Sequence, residues 1–176
     1  MIRIFDFLFS LIGLIFLSPL IILIFFIGLF DSGSPLFTQS RVGYNLKSFS
    51  LIKFRTMPMG VRSAGTHLIK DIKLSSFGYF LRRTKLDEIP QLLNVLFGDM
   101  SLVGPRPCLF NQKKLINERK KRGVFKVRPG ITGLAAINGI NMKTPTLLAK
   151  TDQKMIKNMS LNNYFYYIFK TIFKII

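Results

Sequence analysis

The sequence predicts an α+β fold: one long apolar helix followed by a small, mostly helical domain that contains short strands and interfacial amphipathic helices. Three observations lead to it. Residues Phe7 to Phe30 carry no charge, a run long enough to cross a hydrocarbon core of roughly 30 Å as a helix. Beyond that run, brief strand-like and helix-like patterns alternate without the strand-helix-strand rhythm of a parallel sheet. The length of 176 residues suits one compact domain plus an appendage. The expected division is a membrane segment over 1–32 and a globular domain over 33–176.

The apolar run exceeds the usual core of a signal peptide and lacks a small-x-small cleavage site after it. Ser18-Pro19 stands in its middle. Proline removes a backbone donor and crowds the preceding turn, so a kink is expected there, with the Ser18 hydroxyl able to satisfy a freed carbonyl. Read from residues alone, such a helix either spans or re-enters. A turn-rich junction, Asp31-Ser32-Gly33-Ser34-Pro35, ends the segment. Leu36 to Phe54 reads as two strands around Gly43-Tyr44-Asn45. A loop is expected over Met59 to Thr66, then a weak helix over Leu68 to Leu81. Leu86, Ile89, Leu92, Leu93 and Leu96 keep helical spacing up to Gly98, a C-cap candidate, with Pro90 tolerated in the first turns. Val103 to Pro107 is too rich in proline and glycine for regular structure, and Val127 to Gly133 reads as a second rigid turn. Between them Leu109 to Arg122 reads as a basic helix. The tail, Leu161 to Ile176, mixes Tyr, Phe and Ile with Lys170 and Lys174 as an interfacial amphipathic helix does.

Charge narrows the partners. The chain holds 26 Lys and Arg against 8 Asp and Glu, a formal net charge of +18, which suits a polyanionic partner. Basic composition beyond Asp31 favours the cytoplasmic side by the positive-inside tendency. The lone Cys108 cannot form an internal disulfide. One His, one Cys and scattered acids exclude a zinc site of ordinary ligand density. His67 has no sequence context for a serine relay, and no P-loop or dinucleotide fingerprint is present.

What remains is Asp87-Glu88, the one adjacent pair of acids in the chain. Placed at a helix start, such a pair can simply cap the helix. Beside arginines and a membrane, it also suits phosphoryl chemistry: Mg²⁺ takes one or two carboxylates plus substrate phosphates, Arg forks grip phosphate oxygens, and an Asp can attack phosphorus.

Several blocks carry a resemblance. They are Arg3-Ile4-Phe5-Asp6, Ser18-Pro19, Gln39 to Gly43, Lys53 to Met57, Leu81 to Leu92, Gly98 to Pro107 and Arg128 to Gly133. In this order they resemble the bacterial sugar transferases, specifically the small monotopic phosphoglycosyl transferases acting on polyprenol phosphate. The resemblance implies a re-entrant helix broken at Ser18 and Pro19, with the domain on the cytoplasmic face of a bacterial inner membrane. It implies that Asp87 attacks the sugar-linked phosphorus of a UDP-sugar, releasing UMP, before polyprenol phosphate takes the phosphosugar. That would be the first membrane step of a glycoconjugate such as O-antigen, capsule or glycoprotein glycan.

On this resemblance Glu88 is a base or metal partner, and Mg²⁺ is held by Asp87 and Glu88. Lys53, Arg55, Arg82, Arg106 and Arg128 are anion contacts, and an N-acetylated amino sugar is the expected cargo. Anionic lipids are further partners, nucleic acid is not expected, and a homo-oligomer stays open. Two positions depart from the pattern: Asn162-Asn163-Tyr164, where an acid is frequent, and Ala136, where Gln is usual. The reading from a different class is a non-catalytic cationic scaffold at the membrane.

Overall fold

A computed structural model describes residues 1–59 and 74–175, the last two as backbone alone. The expected loop after Met59, His67 and the first part of the helix expected from Leu68 fall within 60–73, outside the described residues.

Helix α1 runs from Ile2 to Ser32 and stops where Gly33 takes a left-handed conformation at φ 70° and donates its N–H to the Leu29 carbonyl. The helix continues through Ser18 and Pro19 rather than ending and restarting there. What the pair changes is one hydrogen bond. Pro19 has no N–H for the Ile15 carbonyl, and the Ser18 hydroxyl donates to that same oxygen at 2.8 Å.

One stripe of α1 lies on the domain along most of its length. Near its start, Ile2 and Phe5 join a cluster with Val103, Met155, Tyr164 and Tyr167. Further along, Leu20, Ile21, Ile24 and Phe25 pack with Phe54 and Leu81. Polar contacts fasten the first turns. Asp6, buried, accepts from the Ser101 hydroxyl (3.0 Å), the Leu102 N–H (2.9 Å) and the Tyr164 hydroxyl (2.8 Å). The Arg3 guanidinium donates to the Val95 and Leu96 carbonyls at 2.5 and 2.8 Å. The opposite face, with Ile12, Phe16, Leu23, Phe26 and Phe30, is exposed.

The expected hairpin forms: β1 (Leu36–Val42) pairs antiparallel with β2 (Ser48–Phe54), Gln39 opposite Leu51. Helix α2 (Ser76–Thr84) begins at Ser75, whose hydroxyl accepts the Gly78 N–H at 2.9 Å. The single helix expected from Leu86 is instead two elements. A 3-10 turn over Leu86–Glu88 precedes α3 (Gln91–Phe97), because Pro90 sets the start of α3. Gly98 caps it at φ 94°, as expected.

Gly104 to Pro107 lack regular structure as expected, but Val103 and the second rigid turn are corrected. Ser101–Val103 (β3) and Gly130–Thr132 (β4) pair in parallel, Ser101 beside Gly130 and Val103 beside Thr132. Glycine permits this approach: a Cβ on Gly130 would sit 2.0 Å from the Gly104 nitrogen. Short length and high glycine content hid these strands from periodicity.

Helix α4 (Lys113–Lys121) starts four residues later than expected. The preceding residues serve other ends: the Cys108 carbonyl accepts the Val42 N–H, and the Gln112 side chain accepts the Leu109 N–H, both at 2.9 Å. Short α5 (Leu134–Ile137) and longer α6 (Pro145–Lys157) follow. The expected C-terminal helix is α7 (Leu161–Ile175), which buries Tyr164 and Tyr167 and exposes Tyr166, Phe169, Ile172 and Phe173.

Candidate active site

The 3-10 turn that follows α2 decides where the two acids point. Lys85 adopts a left-handed conformation (φ 61°) that ends α2, and the chain turns at once through Leu86–Glu88. Leu86 packs with Phe54 and Leu81, which turns Asp87 inward to 6% exposure. No hydrogen bond reaches the Asp87 carboxylate among the described residues. Burial pushes its pKa above the usual carboxylate range, and the neighbouring Glu88 charge adds to this. Lys53, Lys85 and Arg82 pull it back without prevailing.

Glu88 behaves in the opposite sense. Burial would raise it, but the Arg106 guanidinium, which donates to both of its oxygens (one contact at 3.5 Å), holds it below the usual range. Adjacent acids thus acquire different characters: Glu88 a fixed anion, Asp87 an unpartnered and more basic carboxylate.

A cavity of about 430 Å³ opens beside them, lined at one end by Arg41, Lys53, Glu88 and Arg106. Ala136, Ile140 and Met142 line another part. Asp87 is not in the lining; it is buried and coupled electrostatically to Glu88, Lys53, Lys85 and Arg82. Lys53, from β2, has its pKa lowered by burial, with Asp87 opposing that shift. Arg82 donates to the Thr56 hydroxyl at 2.8 Å and also feels the Asp87 charge.

Two expected anion contacts are occupied elsewhere. Arg55 donates to the Ser34 and Leu36 carbonyls, at 2.8 and 3.2 Å, at the start of β1. Arg128 donates to the Gly98 carbonyl at 2.7 Å and lies over the Tyr44 ring. Neither lines the cavity.

Arg41 was not among the expected contacts, yet it lines the cavity with its pKa lowered to about 10, by burial first and Arg106 second. Its place in the Gln39 to Gly43 block was the available signal, since alternation along β1 puts Gln39 and Arg41 on one face. Gln91, buried at the start of α3, is a second such residue in the lining.

Asp87 and Glu88 could hold a divalent cation only together with substrate oxygens. Among the described residues no group of three His, Cys, Asp or Glu is present, and Mg²⁺ ordinarily binds one or two carboxylates with phosphates and water completing its shell. An unpartnered buried carboxylate beside an arginine-paired one fits that pattern. The arrangement can therefore present an anionic nucleophile next to cations suited to a diphosphate.

Sequence comparison agrees with the resemblance. The family described as bacterial sugar transferase matches residues 1–176. The uncharacterized sugar transferase EpsL of Bacillus subtilis (strain 168) is 49% identical over 110 residues, which are 62% of this chain and 54% of EpsL. The exopolysaccharide production protein ExoY of Sinorhizobium fredii is 35% identical over 188 residues, 97% of this chain and 83% of ExoY. The undecaprenyl-phosphate galactose phosphotransferase of Salmonella typhimurium is 35% identical over 186 residues, 96% of this chain but 39% of that protein. This chain thus spans about half of EpsL and less of the Salmonella protein. With residues 1–176 matched, the chain belongs to the bacterial sugar transferase family.

Proposed function

We propose that this chain transfers a sugar 1-phosphate from a UDP-sugar to a polyprenol phosphate at the membrane surface. The observation that carries the reading is the split pair. Asp87 is buried, without a hydrogen-bond partner among the described residues and raised in pKa, while Glu88 is locked to Arg106 in the lining of a cationic cavity. A relative's name, undecaprenyl-phosphate galactose phosphotransferase, supports the substrate class.

In this mechanism an Asp87 oxygen attacks the sugar-linked phosphorus. The bond from that phosphorus to the bridging oxygen breaks, and UMP leaves with the electron pair. The resulting aspartyl phosphosugar is attacked by a phosphate oxygen of polyprenol phosphate, which restores the Asp87 carboxylate. Polyprenol phosphate attacks as its dianion, and Glu88, kept ionised by Arg106, acts as a metal partner. Lys53, Arg41 and Arg106 offset the diphosphate charge, and Arg82 holds the field around Asp87. Mg²⁺ held by Asp87 and Glu88 would supply further positive charge against the phosphates.

The membrane arrangement is supported by where α1 touches the domain. Its 31 residues extend about 46 Å, and both its first turns and its second half pack on the same domain. A helix crossing a core of roughly 30 Å would carry one end away. The exposed Phe, Leu and Ile face then enters one leaflet, and the strongly basic domain stays on the cytoplasmic side.

The test uses membranes carrying the chain, Mg²⁺, polyprenol phosphate and UDP-glucose, UDP-galactose and UDP-linked N-acetylated amino sugars in turn. UMP release with one donor, with the N-acetylated amino sugar expected, and its loss in Asp87→Asn, are the predicted results. A chain that stays membrane-bound and releases no UMP with any donor would instead be a scaffold.

A further inference from the structure

Behind the cavity, α4 and α6 share an ion pair that the proposed mechanism does not use. Arg119, 1% exposed, meets Asp152, also 1% exposed, through Nε at 2.9 Å and Nη2 at 2.7 Å. Buried ion pairs are poor sources of stability, since the cost of removing both charges from water about equals their attraction. This one is also imperfectly satisfied: the Asp152 Oδ1 has no hydrogen-bond partner among the described residues. Its distinguishing contact lies elsewhere, because the Arg119 Nη1 donates to the backbone carbonyl of Arg106 at 2.8 Å.

That contact completes a series. The Pro105 carbonyl accepts from the Gly130 N–H at 2.9 Å, Arg106 from Arg119, Pro107 from Arg41 at 3.2 Å, and Cys108 from the Val42 N–H at 2.9 Å. Four successive carbonyls are thus tied to β4, α4 and β1. Prolines on either side of Arg106 remove much of the remaining backbone freedom. Only Arg106 in this loop sends its side chain to Glu88. Three of the four ties come from the backbone or from the cavity's own lining. The fourth comes from a side chain that does not line the cavity beside Glu88 and is held in place by Asp152.

We infer that Arg119 and Asp152 form a positioning pair that fixes the Arg106 loop and, through Arg106, the orientation of Glu88. The claim rests on the proposed transferase reading for its kinetic test and stands apart from it in its spectroscopic one. A fork is needed for this role. One guanidinium serves both partners: Nε donates to Asp152 Oδ2, Nη2 stands 2.7 Å from the same oxygen as an ion-pair contact, and Nη1 donates to the Arg106 carbonyl.

Replacing both charges, Arg119→Met with Asp152→Val, roughly keeps the combined volume and removes the tie. Apolar exchange of a buried pair is often neutral for stability, so thermal unfolding of the full chain in detergent should change little. UMP release should nevertheless fall about tenfold to a hundredfold in kcat, with KM for the donor changed by less than about threefold. In an Arg106→Ala background the same double replacement should cost less than about twofold, because its route is already gone. Full turnover in the folded double variant, or an equal loss in the Arg106→Ala background, overturns the inference.

A second readout needs no turnover. In chain labelled with ¹⁵N-arginine, the Arg106 guanidinium signal, protected by Glu88, should shift or broaden in the double variant, and an unchanged signal overturns the inference equally. If the double variant fails to fold, Arg119→Lys keeps a charge beside Asp152 but loses the fork. The same two readouts then decide, with a smaller expected loss. If the wild-type chain releases no UMP while the Arg106 signal responds as stated, the transferase reading fails and the positioning role stands.

Discussion

Asp87 and Glu88 are joined by one peptide bond yet titrate in opposite directions, because one is buried without a partner and the other is held by Arg106. A carboxyl group whose folded pKa is raised binds more protons in the native than in the unfolded chain between the two pKa values, so its ionisation costs stability as pH rises through that window. Above the window the penalty is fully present. Asp87→Asn should therefore raise Tm at pH 7 by about 2–4 °C, the shift that about 1 kcal/mol gives in a chain of this size, while abolishing UMP release. An unchanged or lower Tm would show that the buried charge carries no such cost. For turnover the sign is the same as for any nucleophilic carboxylate. The acid limb of kcat/KM should fall at a pH above the ordinary aspartate value of 3.8, and a limb at or below it would contradict the burial argument.

Among the elements, β3 and β4 depend on the absence of side chains. A Cβ on Gly130 would stand 2.0 Å from the Gly104 nitrogen, a clash with backbone that no rotamer change relieves. Gly130→Ala should lower stability by about 3 kcal/mol or more and separate the strands, readable as loss of the cooperative unfolding transition. What was legible in the sequence follows the same physics. Periodic signals gave the apolar helix, the hairpin of Leu36 to Phe54, the Gly98 cap and the C-terminal helix. β3 and β4, at three residues each, have no period to show, and the Pro90 start of α3 hid the separate turn that holds the acids.

At the site, the structure places Lys53, Glu88 and Arg106, named from the motifs, in one cavity lining, with Asp87 next to Glu88 in sequence. Arg55 and Arg128 shared the same charge and a similar setting, but only tertiary packing shows their guanidinium groups spent on the carbonyls of Ser34, Leu36 and Gly98. Arg119 carried no signal beyond membership of a basic helix, because its partner lies 33 residues away on α6.

At the scale of the whole molecule, the contact of α1 with the domain near both of its ends predicts a topology. A cysteine added ahead of Met1 and one introduced by Thr38→Cys should both react with an impermeant maleimide in inside-out vesicles, and neither should react in intact cells. Cys108 is fully buried, so it contributes little background. Labelling from opposite sides would make α1 a spanning helix and remove the in-leaflet arrangement.

The acceptor role of Asp6 bears on how this protein can be handled outside a bilayer. Deleting the first 33 residues to gain solubility would strip three donors, on Ser101, Leu102 and Tyr164, of their common acceptor and bare the C-terminal carbonyls of α3 that Arg3 covers. A water-soluble version is better sought by repainting the outward Phe, Leu and Ile side chains of α1 with polar ones, so that the greasy rod becomes a wet strut and its stitching survives.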